Sequence, residues 1–317
     1  MNENLNLPKY IIVLGTNYSG AEAIYTYFAG RGDLYDPLMG KEYQLSYAPH
    51  GLMALEAAAE KAFHPSTAEF ALAQFENIAQ KLARSQTIWR SGMNYASKLP
   101  LFQNAIGQFI NEICPAQFSM QLHWRRFFMS VTQRIISLIK NKLGVSQATQ
   151  ARLLVSKDEL VIAAQRLHNR IFQLGAEGRP VLLNQAGTGW NPIESTKYFS
   201  NCKVVLVTRD PRDQFVELKQ FKKATSVEGF VDWYKEMQRR LRQINHPTII
   251  QIRFEDFVEK NDKIVEKLCN QMSLPSNVSS SYQPNLSKKN VGKYRQYLSQ
   301  KELDIIERQL SEFNYVN

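Results

Sequence analysis

The chain has 317 residues, 44% of them hydrophobic, and its 39 Lys and Arg against 29 Asp and Glu leave a formal net charge of +10. This is enough apolar material for one large core or two modest ones, and the excess positive charge favours anionic partners. Cys114, Cys202 and Cys269 are odd in number and form no Cys-x-x-Cys pattern, which excludes a disulfide framework and indicates no metal site. No apolar run is long enough to cross a membrane, and MNENLNLPKY lacks the basic and apolar regions of a secretory leader, so a cytoplasmic protein is expected.

The first expected element is a buried strand at Tyr10–Leu14, followed by a loop and a helix through Phe28. Gly15-Thr16-Asn17-Tyr18-Ser19-Gly20 satisfies the GxxxxG half of a phosphate-binding loop, but Ala21-Glu22 stands where Lys-Ser/Thr would complete it. An ordinary magnesium-nucleotide site, and with it a nucleotide kinase, is therefore not expected. Two readings of the loop stay open. Its backbone N–H groups attract an anion at the start of the helix, or Ser19 and Glu22 close a Ser-x-x-Glu capping box on that helix.

The loop-rich stretch DLYDPLMGKEYQLSYAPHGL follows, with Asp36, Glu42 and His50, and helical periodicity then dominates to about residue 178. Within it Gln86–Trp89 reads as a further strand. No Asp or Glu occurs from Ile113 to Lys157, whereas Arg125, Arg126, Arg134, Lys140, Lys142, Arg152 and Lys157 do. Trp124, Phe127, Phe128, Val131, Ile135, Leu138 and Ile139 recur there at helical spacing. Either this helix packs on the core with a wet basic face, or residues 121–143 form a rim for an anionic glycan or an anionic membrane. No nucleic-acid motif accompanies the charge.

Strands are next expected at Pro180–Leu183, Lys203–Thr208 and Thr248–Arg253, separated by helices, which implies a parallel, doubly wound sheet. In KVVLVTRDPRDQFVEL, Arg209 falls at a strand's carboxyl end, with Asp210 as N-cap, Pro211 at the first helical position and Asp213 two residues further on. The Ser-rich stretch Asn277–Tyr282 reads as a loop. One α/β domain is expected over 1–317, a P-loop-like parallel sheet flanked by helices with a mainly helical insertion at about 33–178 after the first βα unit.

The loop at residues 15–22, the Arg209-Asp210-Pro211 turn, IIQIRFEDFVEK and NLSKKNVGKY occur in the order of the motifs of bacterial sulfotransferases that use 3′-phosphoadenosine-5′-phosphosulfate (PAPS), which the chain resembles over residues 10–28 and 203–317. The resemblance implies sulfuryl transfer from PAPS to a hydroxyl of a carbohydrate or a small or lipid-linked acceptor, leaving adenosine 3′,5′-bisphosphate and needing no metal. It places the 5′-phosphosulfate at Asn17, Tyr18, Ser19, Gly20, Ala21 and Glu22, and the 3′-phosphate at Arg209, Glu217, Lys288, Lys289 and Gly292. Glu217 replaces the family's Ser, and Tyr18, Ala21 and Glu22 depart from its loop. Gln185 stands near the position of the family's catalytic His and cannot take a proton from a hydroxyl. Glu42, then His50, are the candidate bases. These departures keep a second class open, a non-catalytic binding protein on a decayed sulfotransferase scaffold.

Overall fold

The computed structural model describes residues 9–61, 64–120, 122–224 and 226–315; the side chains of residues 60, 61, 123, 124, 126, 149 and 150 are outside that description. Among the described residues six strands form: β1 (Tyr10–Gly15), β2 (Ala116–Met120), β3 (Thr149–Leu153), β4 (Val181–Asn184), β5 (Cys202–Thr208) and β6 (Ile249–Arg253). Three helices position the features below, α1 (Ala21–Ala29), α2 (Val131–Lys142) and α3 (Pro211–Gln220). The chain divides into two compact units, one of residues before Leu45 and after Ile171, the other Leu45–Ile171.

The first unit is built on a four-stranded parallel sheet in the order β4-β1-β5-β6. Tyr10 through Leu14 are all fully buried, the unbroken apolar run of a strand covered on both faces. Tyr10 stands opposite Val181 on one side and Cys202 on the other. The chain thus leaves β1 for one neighbour and returns across it to the other, and such a reversal of strand order opens a crevice at the carboxyl end of the strand. One face of the sheet is covered by Ile24, Tyr25 and Phe28 of α1, packed with Phe254, Phe257, Leu268 and Met272. The four sheet strands lie within one or two residues of their expected positions.

The second unit holds helices Leu52–Lys61, Pro65–Ala83 and Phe102–Ile113, together with an antiparallel hairpin of β2 and β3 that pairs Ala116 with Leu153 and Met120 with Thr149. Hydrophobic periodicity did not announce this hairpin. Arg152 on β3 is clamped by Glu69 at 2.8 Å and Glu76 at 2.7 Å, and Lys157 lies 3.6 Å from Glu56. Two of the seven cations of the acid-free stretch are therefore internally neutralised. The strand expected at Gln86–Trp89 is a turn closed by Thr87 and Arg90, with Ile88 and Trp89 almost wholly exposed; two apolar side chains without a sheet to cover them do not make a strand.

Candidate functional site

The loop after β1 is wound tightly. Asn17, Tyr18 and Gly20 have φ of 29°, 57° and 86°, and a Cβ on Gly15 would fall 2.2 Å from Ser19 Oγ. Gly20 is required twice over, by its positive φ and by Phe254, whose ring a Cβ would meet at 2.3 Å. The expected capping box does not form. Gly20 caps α1 without a side-chain bond, while Ser19 Oγ turns back to accept from Thr16 N at 3.2 Å. Glu22 instead accepts from Asn184 Nδ2, at the end of β4, at 3.1 Å. No side chain caps the N–H groups at the start of α1, a geometry that attracts anions.

Neighbouring side chains hold the loop by its carbonyls. Gln214 Nε2 on α3 donates to Thr16 O and Asn17 O, and Arg209 donates to Tyr18 O at 3.0 Å and to Asn290 O at 2.7 Å. Gln185 Oε1 accepts from Gly15 N at 3.2 Å, a supporting contact at the position where the resemblance places a catalytic His. The Tyr18 ring stacks on Phe221, centroids 5.0 Å apart.

Around the loop, four buried polar atoms have no hydrogen-bond partner: Thr16 Oγ1, Asn184 Oδ1, Arg209 Nε and Gln214 Oε1. An unmet buried group costs about 1–3 kcal/mol, and native structures satisfy nearly all of them.

Arg209 is the expected 3′-phosphate contact, and its surroundings are filled from within. It is 4% exposed, lies over the Phe254 ring at 5.0 Å and sits 3.7 Å from Glu217, which itself pairs with Lys293 at 2.9 Å. The loop at 290–294 is tied down beside it, with Gly292 N and Tyr294 N donating to Asp213 at 2.7 and 2.9 Å. Burial raises the Asp213 carboxyl above its ordinary range against the pull of those N–H groups. Lys288 and Lys289 are exposed on the helix Pro284–Lys288 and its cap, and Lys219 pairs with Glu302. The residues present fit a single anionic group at the start of α1; at Arg209 they do not fit a 3′-phosphate, because a carboxylate already answers that cation.

Of the candidate bases, Glu42 bridges Asn184 through the backbone and accepts from Gln44 at 3.0 Å. Asp36 is held by Tyr25 Oη at 2.5 Å and Met39 N at 2.8 Å. His50 is an exposed turn residue of the second unit, with φ of 64°. A carboxylate not considered as a base, Glu22, has the raised proton affinity: its partial burial, then the negative charges of Glu42 and Asp36, outweigh the Asn184 hydrogen bond. A raised pKa in the folded chain contributes stability that is complete below the ordinary carboxylate range and is lost as pH rises through the folded value. Glu22→Gln should therefore melt with the wild type near pH 4 and above it near pH 7, as followed by thermal denaturation; a lower melting temperature for the variant at pH 7 would contradict this.

Sequence reasoning assigned no site role to Asp213, Gln214, Lys293 or Asn184, and named Gln185 only as standing near the position of the family's catalytic His. The only local signal among them was Asp213, three residues after the N-cap Asp210, and its partners lie far along the chain.

A scan of the sequence against protein-family models finds no match, and a search of curated proteins finds none. Among solved structures the chain is similar to the sulfotransferase domain of the olefin synthase of Synechococcus PCC 7002, at TM-score 0.48 and 13% identity over 100% of this chain and 98% of that one. It is also similar to the sulfotransferase domain from the curacin biosynthetic pathway, at TM-score 0.42 and 13% identity over 98% and 99% of the two chains. A third is the sulfotransferase of Alicyclobacillus acidocaldarius, at TM-score 0.37 and 11% identity over 96% and 98%. All three are described as sulfotransferases or sulfotransferase domains.

Proposed function

We propose that this chain is a ligand-binding protein on a sulfotransferase-like scaffold, taking one sulfate or phosphate ester group at the start of α1. The observation that carries this is the start of α1, whose N–H groups no side chain caps among the described residues, at the end of a loop that Gln214 and Arg209 hold by its carbonyls. High affinity for PAPS is not part of this reading, since the carboxylate of Glu217, between Arg209 and Lys293, would repel a 3′-phosphate placed there. Adenosine 5′-phosphosulfate carries the loop's anion without the 3′-phosphate. It should raise the melting temperature of the wild type more than adenosine 3′,5′-bisphosphate does, a ligand at 100 times its Kd adding about 2.7 kcal/mol. The reverse order of shifts would sink the reading.

Glu22 favours a second reading, sulfuryl transfer from PAPS to a hydroxyl of a carbohydrate or lipid-linked acceptor. It is a carboxylate of raised proton affinity at the first turn of α1, suited to take a proton at neutral pH. The bisphosphate titration separates the two readings, because PAPS and this product share the 3′-phosphate.

A further inference from the structure

Helix α2 lies the wrong way round for a water-facing helix. None of its residues is buried, and Val131, Ile135, Leu138 and Ile139 are 52–78% exposed, as are Phe127 at 65% and Leu143 at 71% nearby. The one half-buried position of the helix is Ser137, where Gln147 donates to Ser137 O at 3.0 Å and accepts from Ser137 Oγ at 2.5 Å; Gln147 also donates to Asn141 Oδ1. A capping box of Ser130 and Gln133 fixes the start of the helix. Of the stripe, Phe128 stacks on Phe70, centroids 4.3 Å apart, whereas the apolar residues of α2 are not packed on the core. Trp124 and Arg126, expected beside it, have side chains outside the described residues.

Charge says what would cover the face. Arg125, Arg134, Lys140 and Lys142 are all exposed, and helical spacing sets Arg134 at one margin of the apolar stripe and Lys142 within it. With Arg152 and Lys157 neutralised by carboxylates, the uncompensated cations of the acid-free stretch gather on this segment. A second copy would set cation against cation. A surface both apolar and anionic matches the face.

We propose that Phe127–Leu143 docks on an anionic lipid bilayer, its apolar residues entering the headgroup boundary and its three cations, Arg134, Lys140 and Lys142, meeting lipid phosphates. The 12 residues of α2 span roughly 18 Å, too short for a hydrocarbon core of about 30 Å, so the helix lies in the plane of the interface. Among the described residues no helix is long and apolar enough to cross a membrane.

The test is flotation of the full chain with vesicles of phosphatidylcholine alone and of phosphatidylcholine mixed with phosphatidylglycerol. Wild type should float with the mixed vesicles, and raised salt should weaken this because exposed charges are screened over about 8 Å at physiological ionic strength. Lys140→Gln with Lys142→Gln should weaken it roughly 25-fold, since each cation near the surface is worth about fivefold. Val131→Ser, Ile135→Ser and Leu138→Ser together should abolish it. These side chains are exposed, so an unchanged thermal melt is expected to accompany the loss. Equal flotation of wild type and both variants, or no flotation of wild type, overturns the proposal. So does a lipid-free dimer that the serine variant dissociates, which assigns the face to a second copy. Retention on an acidic glycan without vesicle binding likewise assigns it to a carbohydrate.

Discussion

Arg209→Ala should lower folding stability by roughly 3–5 kcal/mol, the range for removing one partner of a buried ion pair. The guanidinium is 4% exposed and joins three parts of the chain, the carbonyl of Tyr18, the carbonyl of Asn290 and the carboxylate of Glu217. Its loss leaves the half-buried carbonyls of Tyr18 and Asn290 without this donor and Glu217 with Lys293 alone. Urea denaturation measures the effect as a lower midpoint. A ligand-contact role alone would leave the midpoint within about 0.5 kcal/mol of wild type, as surface changes do, and that result would remove Arg209 from the structural hub. The resemblance to PAPS-using enzymes points to a phosphate contact at this position; the packing makes it a brace between the loops.

Glu217→Ser should tighten adenosine 3′,5′-bisphosphate binding by about 100-fold or more. In the wild type the carboxylate is 13% exposed and stands 3.7 Å from Arg209 and 2.9 Å from Lys293, the cations that a phosphate would seek. A phosphate oxygen about 4 Å from that carboxylate would be repelled by up to about 4 kcal/mol at an effective dielectric near 20, nearly three orders of magnitude in Kd. Serine removes the charge and keeps a hydroxyl that can donate. The variant leaves two cations unpaired and should melt lower than wild type without ligand, then recover as bisphosphate is added. An affinity equal to wild type would mean that the carboxylate does not govern this place.

Local chemistry made the sheet legible. The run Tyr10–Leu14 has no polar residue to expose, and Asp210-Pro211 combines a cap with a residue preset for the first helical position, so β1 and the start of α3 fall where expected. The Ser19–Glu22 box failed for a reason that local sequence does not hold: Asn184, 162 positions from Glu22, competes for the carboxylate. Glu217 is visible in the sequence as a departure from a Ser, but its neutralisation by Lys293, 76 positions on, follows only from the fold. Periodicity likewise showed an apolar face on α2 and was silent on whether the chain would cover it. The four unpartnered atoms about the loop belong to three separate segments, and no spacing rule joins them.

The closure of the Arg209 position is tested most directly by calorimetric titration of the wild-type chain with adenosine 3′,5′-bisphosphate and, in parallel, with adenosine 5′-phosphosulfate. With Glu217 in place, the 5′-phosphosulfate should bind and the added 3′-phosphate should bring no gain in affinity. Micromolar bisphosphate binding by the wild type, tighter than that of the 5′-phosphosulfate, would contradict the closure and favour a PAPS-dependent enzyme.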